Sequence, residues 1–305
     1  MPLPKPVLIT KYDEFRRLVR KFVDGEFNFL LVEAPPGQGK SVIAETLMGS
    51  AGVVLDNAAA SAIGFYKELY DHIDAPVVLS DVDELLKGQG RRLLAALTDT
   101  KEVKKIQWLK QNAALEKEGY PRTFQTRSRL LMISNDIESI ARRIPAILSR
   151  GTYRKFLPVP QEMRVEASSW IGDQQVFDLW SLTMPFTGQP DFRTIVRAKE
   201  LKDAKEEWTV EILKETDFDA FDAAIVRSLA VRGRDYPNHA DILREIIAAG
   251  VNVASKTFYR RVAKILDATA WVSPMRVAPP KDDKATIAPP AACRIVADEP
   301  IMVVV

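Results

Sequence analysis

Short apolar runs and helical apolar stripes alternate along the first half of the chain. Phe27 to Val32 (FNFLLV), Gly52 to Asp56 (GVVLD), Pro76 to Ser80 (PVVLS) and Arg129 to Ser134 (RLLMIS) are the runs. Their length and near-continuity predict strands buried on both faces. Tyr153 to Val159 predicts a last strand, closed by Pro158 and Pro160. Between them apolar residues recur at helical spacing. Phe15, Leu18, Val19 and Phe22 mark a helix over Lys11–Val23, and Gly25 can end it. Val42–Met48, Ala60–His72, Arg91–Leu97 and Ile137–Leu148 are further helices, while Lys101–Lys110 fits either a strand or a helix. Strands alternating with helices predict an α/β fold, a parallel sheet covered on both faces.

From residue 161 the strand signal stops. Glu162–Trp170, Val176–Thr183 and Asp191–Ala204 predict a small helical subdomain over 161–215. Phe218–Ala230, His239–Ala249 and Ser255–Leu266 predict a three-helix unit over 216–275, with AWVSPMRV able to form a wing strand. Residues 276–305 are rich in Pro and Ala and predict a disordered tail, ending in an unexpectedly apolar IMVVV.

Composition narrows the chemistry. The chain has 305 residues, 47% of them apolar, enough for two or three domains with real cores. A net charge of +2 argues for no strong overall field, so any nucleic-acid surface is local. One cysteine, Cys293, excludes an internal disulfide framework and a cysteine-based zinc cluster. No run is long and apolar enough to span a membrane, and MPLPKPVLIT lacks signal-peptide anatomy, so the expectation is a soluble, cytoplasmic protein.

The stretch FNFLLVEAPPGQGKSV carries the sharpest chemistry. A buried strand, a glycine-containing turn, Lys-Ser and a helix start form the phosphate-binding pattern. Gly37 and Gly39 allow backbone N–H groups to turn toward phosphate oxygens, and the helix N-terminus adds partial positive charge. Pro36, Gly37, Gln38, Gly39, Lys40, Ser41 and Val42 are therefore the expected nucleotide contacts. Lys40 can reach the outer phosphates and Ser41 can hold Mg²⁺. Ala34 stands where the pattern has its first glycine. PVVLSDVDEL supplies carboxylates in an ambiguous register: Asp81 and Asp83 are candidates for the metal, with Glu84 as the alternative base. An acidic helix start would look the same. Asn135 can orient water or touch the γ-phosphate, and it also fits a turn. Arg150 closes its helix and is a candidate cation for a neighbour's nucleotide; Arg142 and Arg143 compete for that role.

In the order APPGQGKS, VVLSDVDE, LLMISND and ARRIPAILSRG, residues 5 to 210 resemble an AAA+ ATPase core. The resemblance implies a three-layer P-loop NTPase over 1–160 followed by a helical lid, with ATP and Mg²⁺ as cofactors. It implies Walker A, Walker B, sensor 1 and arginine-finger roles for those segments, and a sensor 2 role for Arg193. It also implies a ring or filament in which Arg150 acts on the next subunit. Two segments specialise the chain. Between Leu97 and Arg129, Lys101, Lys104, Lys105, Lys110, Arg122, Arg127 and Arg129 interleave with Trp108, Tyr120 and Phe124, which fits a nucleic-acid-facing loop or a solvated helix face. The last three helices resemble a winged-helix or helix-turn-helix module. Lys256, Thr257, Tyr259, Arg260, Arg261 and Lys264 of its third helix are the candidate DNA contacts; a protein partner is the other expectation.

Overall fold

A computed structural model describes residues 5–55, 61–80, 83–109, 112–233, 236–251, 253–272 and 274–278. The chain forms two compact units. One comprises residues 1–166 with 189–192, the other 167–188 with 193–305.

The first unit runs β1 (Val7–Ile9), α1 (Tyr12–Val23), β2 (Phe29–Glu33), α2 (Lys40–Met48), β3 (Val53–Leu55), α3 (Ala62–Asp71), β4 (Val77–Ser80) and α4 (Gly88–Leu97). It continues with β5 (Lys104–Gln107), α5 (Ala113–Lys117), β6 (Thr123–Thr126), β7 (Leu130–Ser134), α6 (Ile137–Arg143), α7 (Ile147–Arg150), β8 (Thr152–Phe156) and α8 (Pro160–Ser168), whose last two residues belong to the second unit. Six strands form one sheet in the order β1-β8-β2-β7-β4-β3, every pair parallel. β2 and β7 lie inside it, which is why FLLV and LLMIS are buried throughout. Alternate residues serve opposite faces. Phe29, Leu31, Val77, Leu79, Leu130 and Met132 join one apolar cluster with Phe65, Leu93, Leu94, Ile137 and Ile147. Their neighbours in sequence turn to the other face, where α2 packs on β4.

The arm before α1 holds a strand that the periodicity does not predict. β1 is three residues long and takes its hydrogen bonds from β8. The helix expected over Ile137–Leu148 is two helices. Pro145 has no N–H to donate, and Ile144 before it leaves the helical region at φ −130°, ψ 78°. The ambiguous Lys101–Lys110 stretch contains a strand, β5, paired antiparallel with β6. Several residues expected on a nucleic-acid-facing loop or a solvated helix face are packed or paired in and around this hairpin. Trp108 and Phe124 are buried, with ring centroids 5.5 and 5.3 Å from that of the fully buried Tyr66. The Tyr120 hydroxyl donates to Asp71 at 2.9 Å. Lys104 is buried, donating to Asn28 Oδ1 at 2.6 Å and Ser128 O at 2.5 Å. Arg122 pairs with Glu116, Arg127 with Asp74 and Glu102, and Arg129 donates to Val23 O. Lys101 and Lys105 remain exposed, and Lys110 lies outside the described residues.

The second unit contains α9 (Gln174–Thr183), the body of α10 (Phe192–Asp203), α11 (Thr209–Leu213), α12 (Ala220–Arg232), α13 (His239–Ala248) and α14 (Ser255–Ala268). Asp173 caps α9 through Val176 N at 3.0 Å and accepts Lys202 Nζ at 2.7 Å. Burial pushes its carboxyl up, but the Lys202 and backbone hydrogen bonds outweigh that and hold it below the usual range. Residues 167–188 and 193–215 of the expected lid cluster with the residues expected as a three-helix domain, whereas 161–166 and 189–192 cluster with the first unit; α12 packs on α9. AWVSPMRV forms no strand among the described residues, and the expected tail lies outside them from residue 279 on.

Candidate functional site

The sheet brings four polar side chains to the ends of adjacent strands. β2 ends at Glu33, and Ala34 N donates to Ser134 O at 3.1 Å, tying the following loop to β7. The loop turns through Gly37 (φ +70°) and Gly39 (φ +73°), and Gly39 caps α2. Side chains rarely adopt that backbone, so glycine is required at both places. Lys40 is buried. Its Nζ donates to Pro35 O at 2.8 Å and to Asn135 Oδ1 at 2.7 Å. The two residues meet because β2 and β7 are neighbours in register, Glu33 opposite Ser134. Ser41 Oγ lies 3.2 Å from Ser80 Oγ, on the last residue of β4. Pro36 is exposed at the loop tip and Val42 is half-buried on α2.

Gln38 has its side chain held within the protein. It is buried, Nε2 donating to Pro190 O at 2.8 Å, while its backbone carbonyl accepts from Tyr12 OH at 3.2 Å. Phe192 N donates to Gly37 O at 2.9 Å, and a Cβ on Gly37 would overlap the Asp191 carboxylate. The short segment Gln189–Phe192 thus straps the loop, with the Phe192 ring stacked on Tyr12 at 6.0 Å. On the other side Glu33 accepts from Tyr153 OH and from Lys155 Nζ, the latter at 2.6 Å. Burial, reinforced by Glu33, pushes the Tyr153 phenol well above its ordinary value.

Of the acidic cluster, Asp81 lies outside the described residues. So do the side chains of Asp83 and Glu84, whose backbone forms a short 3₁₀ turn. Among the described residues no three His, Cys, Asp or Glu converge to hold a metal. The Ser41 and Ser80 hydroxyls are oxygens that suit Mg²⁺; the loop, Lys40 and Asn135 suit a polyphosphate. Arg150 closes α7 and donates from Nη1 to Ala95 O at 2.8 Å, whereas Arg142 and Arg143 are exposed. Arg193 is exposed on α10 in the second unit.

On α14, Lys256, Tyr259, Arg260 and Lys264 are exposed and Thr257 is half-buried. Arg261 differs. It pairs with Asp219 at 2.5 Å and Asp222 at 3.0 Å and lies over the Phe221 ring, clamping α14 to the start of α12. The acids that hold it are about forty residues away in sequence, so spacing along α14 alone does not reveal them. It also missed Ser80, Glu33 and the 189–192 strap. Strand alternation offered a signal for Ser80; the others depend on which strands and loops become neighbours.

No protein-family model and no curated protein matches the chain. Solved structures similar to it include the Walker-type ATPase PABY2304 of Pyrococcus abyssi, 11% identical, covering 88% of this chain and 93% of that one with a TM-score of 0.41. Drosophila ORC bound to DNA is 13% identical over 88% and 80% of the two chains, TM-score 0.40. The Thermotoga maritima RuvB Holliday junction branch migration motor is 14% identical over 72% and 78%, TM-score 0.36. At those identities and scores the likenesses add nothing to the geometry. By its parallel sheet, its glycine loop between β2 and α2, and the polar groups gathered at the strand ends, the chain has the α/β fold of the P-loop NTPases and resembles the AAA+ ATPases in it.

Proposed function

We propose that this chain is an AAA+ protein that binds and hydrolyses ATP and acts on DNA as an oligomer. The contact between Lys40 Nζ and Asn135 Oδ1 at the mouth of the glycine loop carries the reading, because it gathers a phosphate cradle, a cation and a polar orienting group at one point. Lys40 and the loop N–H groups hold the β- and γ-phosphates. Asn135 orients the attacking water, Asp81 and Asp83 would serve the metal beside Ser41, and Glu84 is the alternative base. Mg²⁺, held at Ser41, would neutralise charge on the phosphates. Arg150 from a neighbouring copy stabilises the transition state, and Arg193 contacts the nucleotide. DNA would meet the exposed cations Lys256, Arg260 and Lys264, with Thr257 and Tyr259 beside them.

The test is steady-state ATP turnover with and without DNA, over a range of protein concentrations, beside Lys40→Ala. Turnover that rises with DNA and is lost in the variant supports the reading; turnover that survives Lys40→Ala overturns it. A second reading, a protein-remodelling ATPase, is favoured by Arg261, whose charge is spent inside the chain. It predicts no salt-sensitive DNA binding and stimulation by a protein.

A further inference from the structure

The segment that crosses the phosphate loop carries a charge of the same sign as the ligand the loop suits. Gln189–Phe192 belongs to the first unit, although the residues on either side of it belong to the second. Two hydrogen bonds fasten it. Phe192 N donates to Gly37 O at 2.9 Å, and Gln38 Nε2 donates to Pro190 O at 2.8 Å. The Phe192 ring is buried against Tyr12 and lies 3.5 Å from where a Cβ on Gly39 would be. Asp191 sits between the two fastened residues. Its carboxylate fills the space that a side chain on Gly37 would take, with both oxygens against that position. The fastening is also imperfect. Gln38 is 3% exposed, and among the described residues its buried Oε1 has no hydrogen-bond partner. A buried acceptor without a donor is costly, and opening the strap would return it to water.

We propose that the strap is an autoinhibitory latch: Asp191 holds a negative charge against the phosphate loop, and a nucleoside triphosphate has to push it aside to bind. This rests on the nucleotide-site reading above and deepens it by naming what opposes binding. The physical reason is charge. The loop N–H groups and the start of α2 attract an anion of either kind. A carboxylate and a phosphate held there together repel each other, more strongly where water is partly excluded. The polyphosphate has more charge and more acceptor oxygens than one carboxylate, so it wins the place. Moving Asp191 away pulls on Pro190 and Phe192, its neighbours in the chain, and loosens their bonds to Gln38 and Gly37. The latch therefore lowers nucleotide affinity, and nucleotide opens the latch.

The experiment is equilibrium binding of a fluorescent ATP analogue to the full chain, wild type and Asp191→Asn, at low and high salt. The substitution keeps the shape and removes the charge, and thermal unfolding without nucleotide reports whether it folds. Asp191→Asn should bind about fivefold or more tightly than the wild type at low salt, a gain that shrinks as salt screens the repulsion. A strap that merely braces the loop predicts weaker binding instead. Hydrogen exchange on the wild type reads the latch directly. A saturating non-hydrolysable ATP analogue should slow exchange at the loop amides and speed it at the Phe192 amide. A folded Asp191→Asn that binds no more tightly, or a Phe192 amide that slows together with the loop, overturns the latch and leaves the nucleotide reading intact. If Asp191→Asn does not fold, the exchange at Phe192 decides alone. Folded wild type and folded Asp191→Asn that both fail to bind the analogue overturn the nucleotide reading and the latch together.

Discussion

Lys40 and Lys104 are both buried amines, and their surroundings give them opposite uses. Lys40 points along the loop to Pro35 O and Asn135, where a phosphate can take over its hydrogen bonds. Lys40→Ala is expected to lower ATP turnover about a hundredfold or more. Lys104 bonds Asn28 Oδ1 and Ser128 O, joining the β5–β6 hairpin to the strand that feeds the loop. Burial, with Arg129 adding repulsion, lowers its pKa to about 8. Below that pH both folded and unfolded chains hold the proton, and the folded chain carries a buried charge. Between about 8 and the unfolded value near 10.4, the unfolded chain binds the extra proton, so stability rises with pH. Chemical denaturation should show the midpoint rising from about pH 7.5 to 9.5, and Lys104→Met should lose that rise. Lys104→Met should also cost about 1–3 kcal/mol at neutral pH, since two acceptors lose their donor.

Helix α14 divides its cations by face. Lys256, Arg260 and Lys264 are exposed, while Arg261 turns back to the acids that begin α12. Asp219 caps α12 through Phe221 N and Asp222 N; the backbone bond from Asp222, then Arg261, holds its carboxyl below the usual range. Its share of stability is present above the unfolded pKa and lost as pH falls through the lower folded one. Arg261→Ala is expected to cost up to about 1 kcal/mol and leave any DNA affinity unchanged. Replacing Lys256, Arg260 and Lys264 by Ala should weaken DNA binding. It should also flatten the salt dependence by about 0.9 log unit for each phosphate that is no longer neutralised. A salt titration that separates the two variants checks both claims. An unchanged salt slope in the triple variant would remove α14 as the DNA-facing element.

At the scale of the whole molecule, assembly decides whether Arg150 reaches a nucleotide. Pro145 breaks the helix expected over Ile137–Leu148, and the short α7 that follows carries Arg150 to the last turn of α4, where Ala95 O accepts from it. An arginine that serves the next subunit must exchange that carbonyl for a phosphate. Arg150→Ala should therefore remove the rise of specific ATP turnover with protein concentration and leave analogue binding unchanged. A double variant of Arg142 and Arg143, both exposed on α6, is the control. If the double variant loses the concentration dependence and Arg150→Ala keeps it, the trans role passes to α6. Among the described residues no helix is long and apolar enough to cross a membrane.

The alternation of FLLV, VVLS and LLMIS with amphipathic helices determined the parallel sheet, because a strand buried on both faces has to be apolar throughout. APPGQGKS determined the phosphate loop, since its glycines and lysine act through local backbone geometry. Both are short-range properties that a sequence records directly. Neighbours brought together by the sheet are not. Register alone sets Asn135 beside Lys40 and Ser80 beside Ser41, and a loop about 150 residues away supplies Pro190 to Gln38. The same holds for the aromatics of the hairpin. Their spacing with basic residues suited base stacking equally well, and only packing against Tyr66 turned Trp108 and Phe124 inward. Burial of a side chain depends on what the rest of the chain places over it, which is why tertiary structure decided those cases.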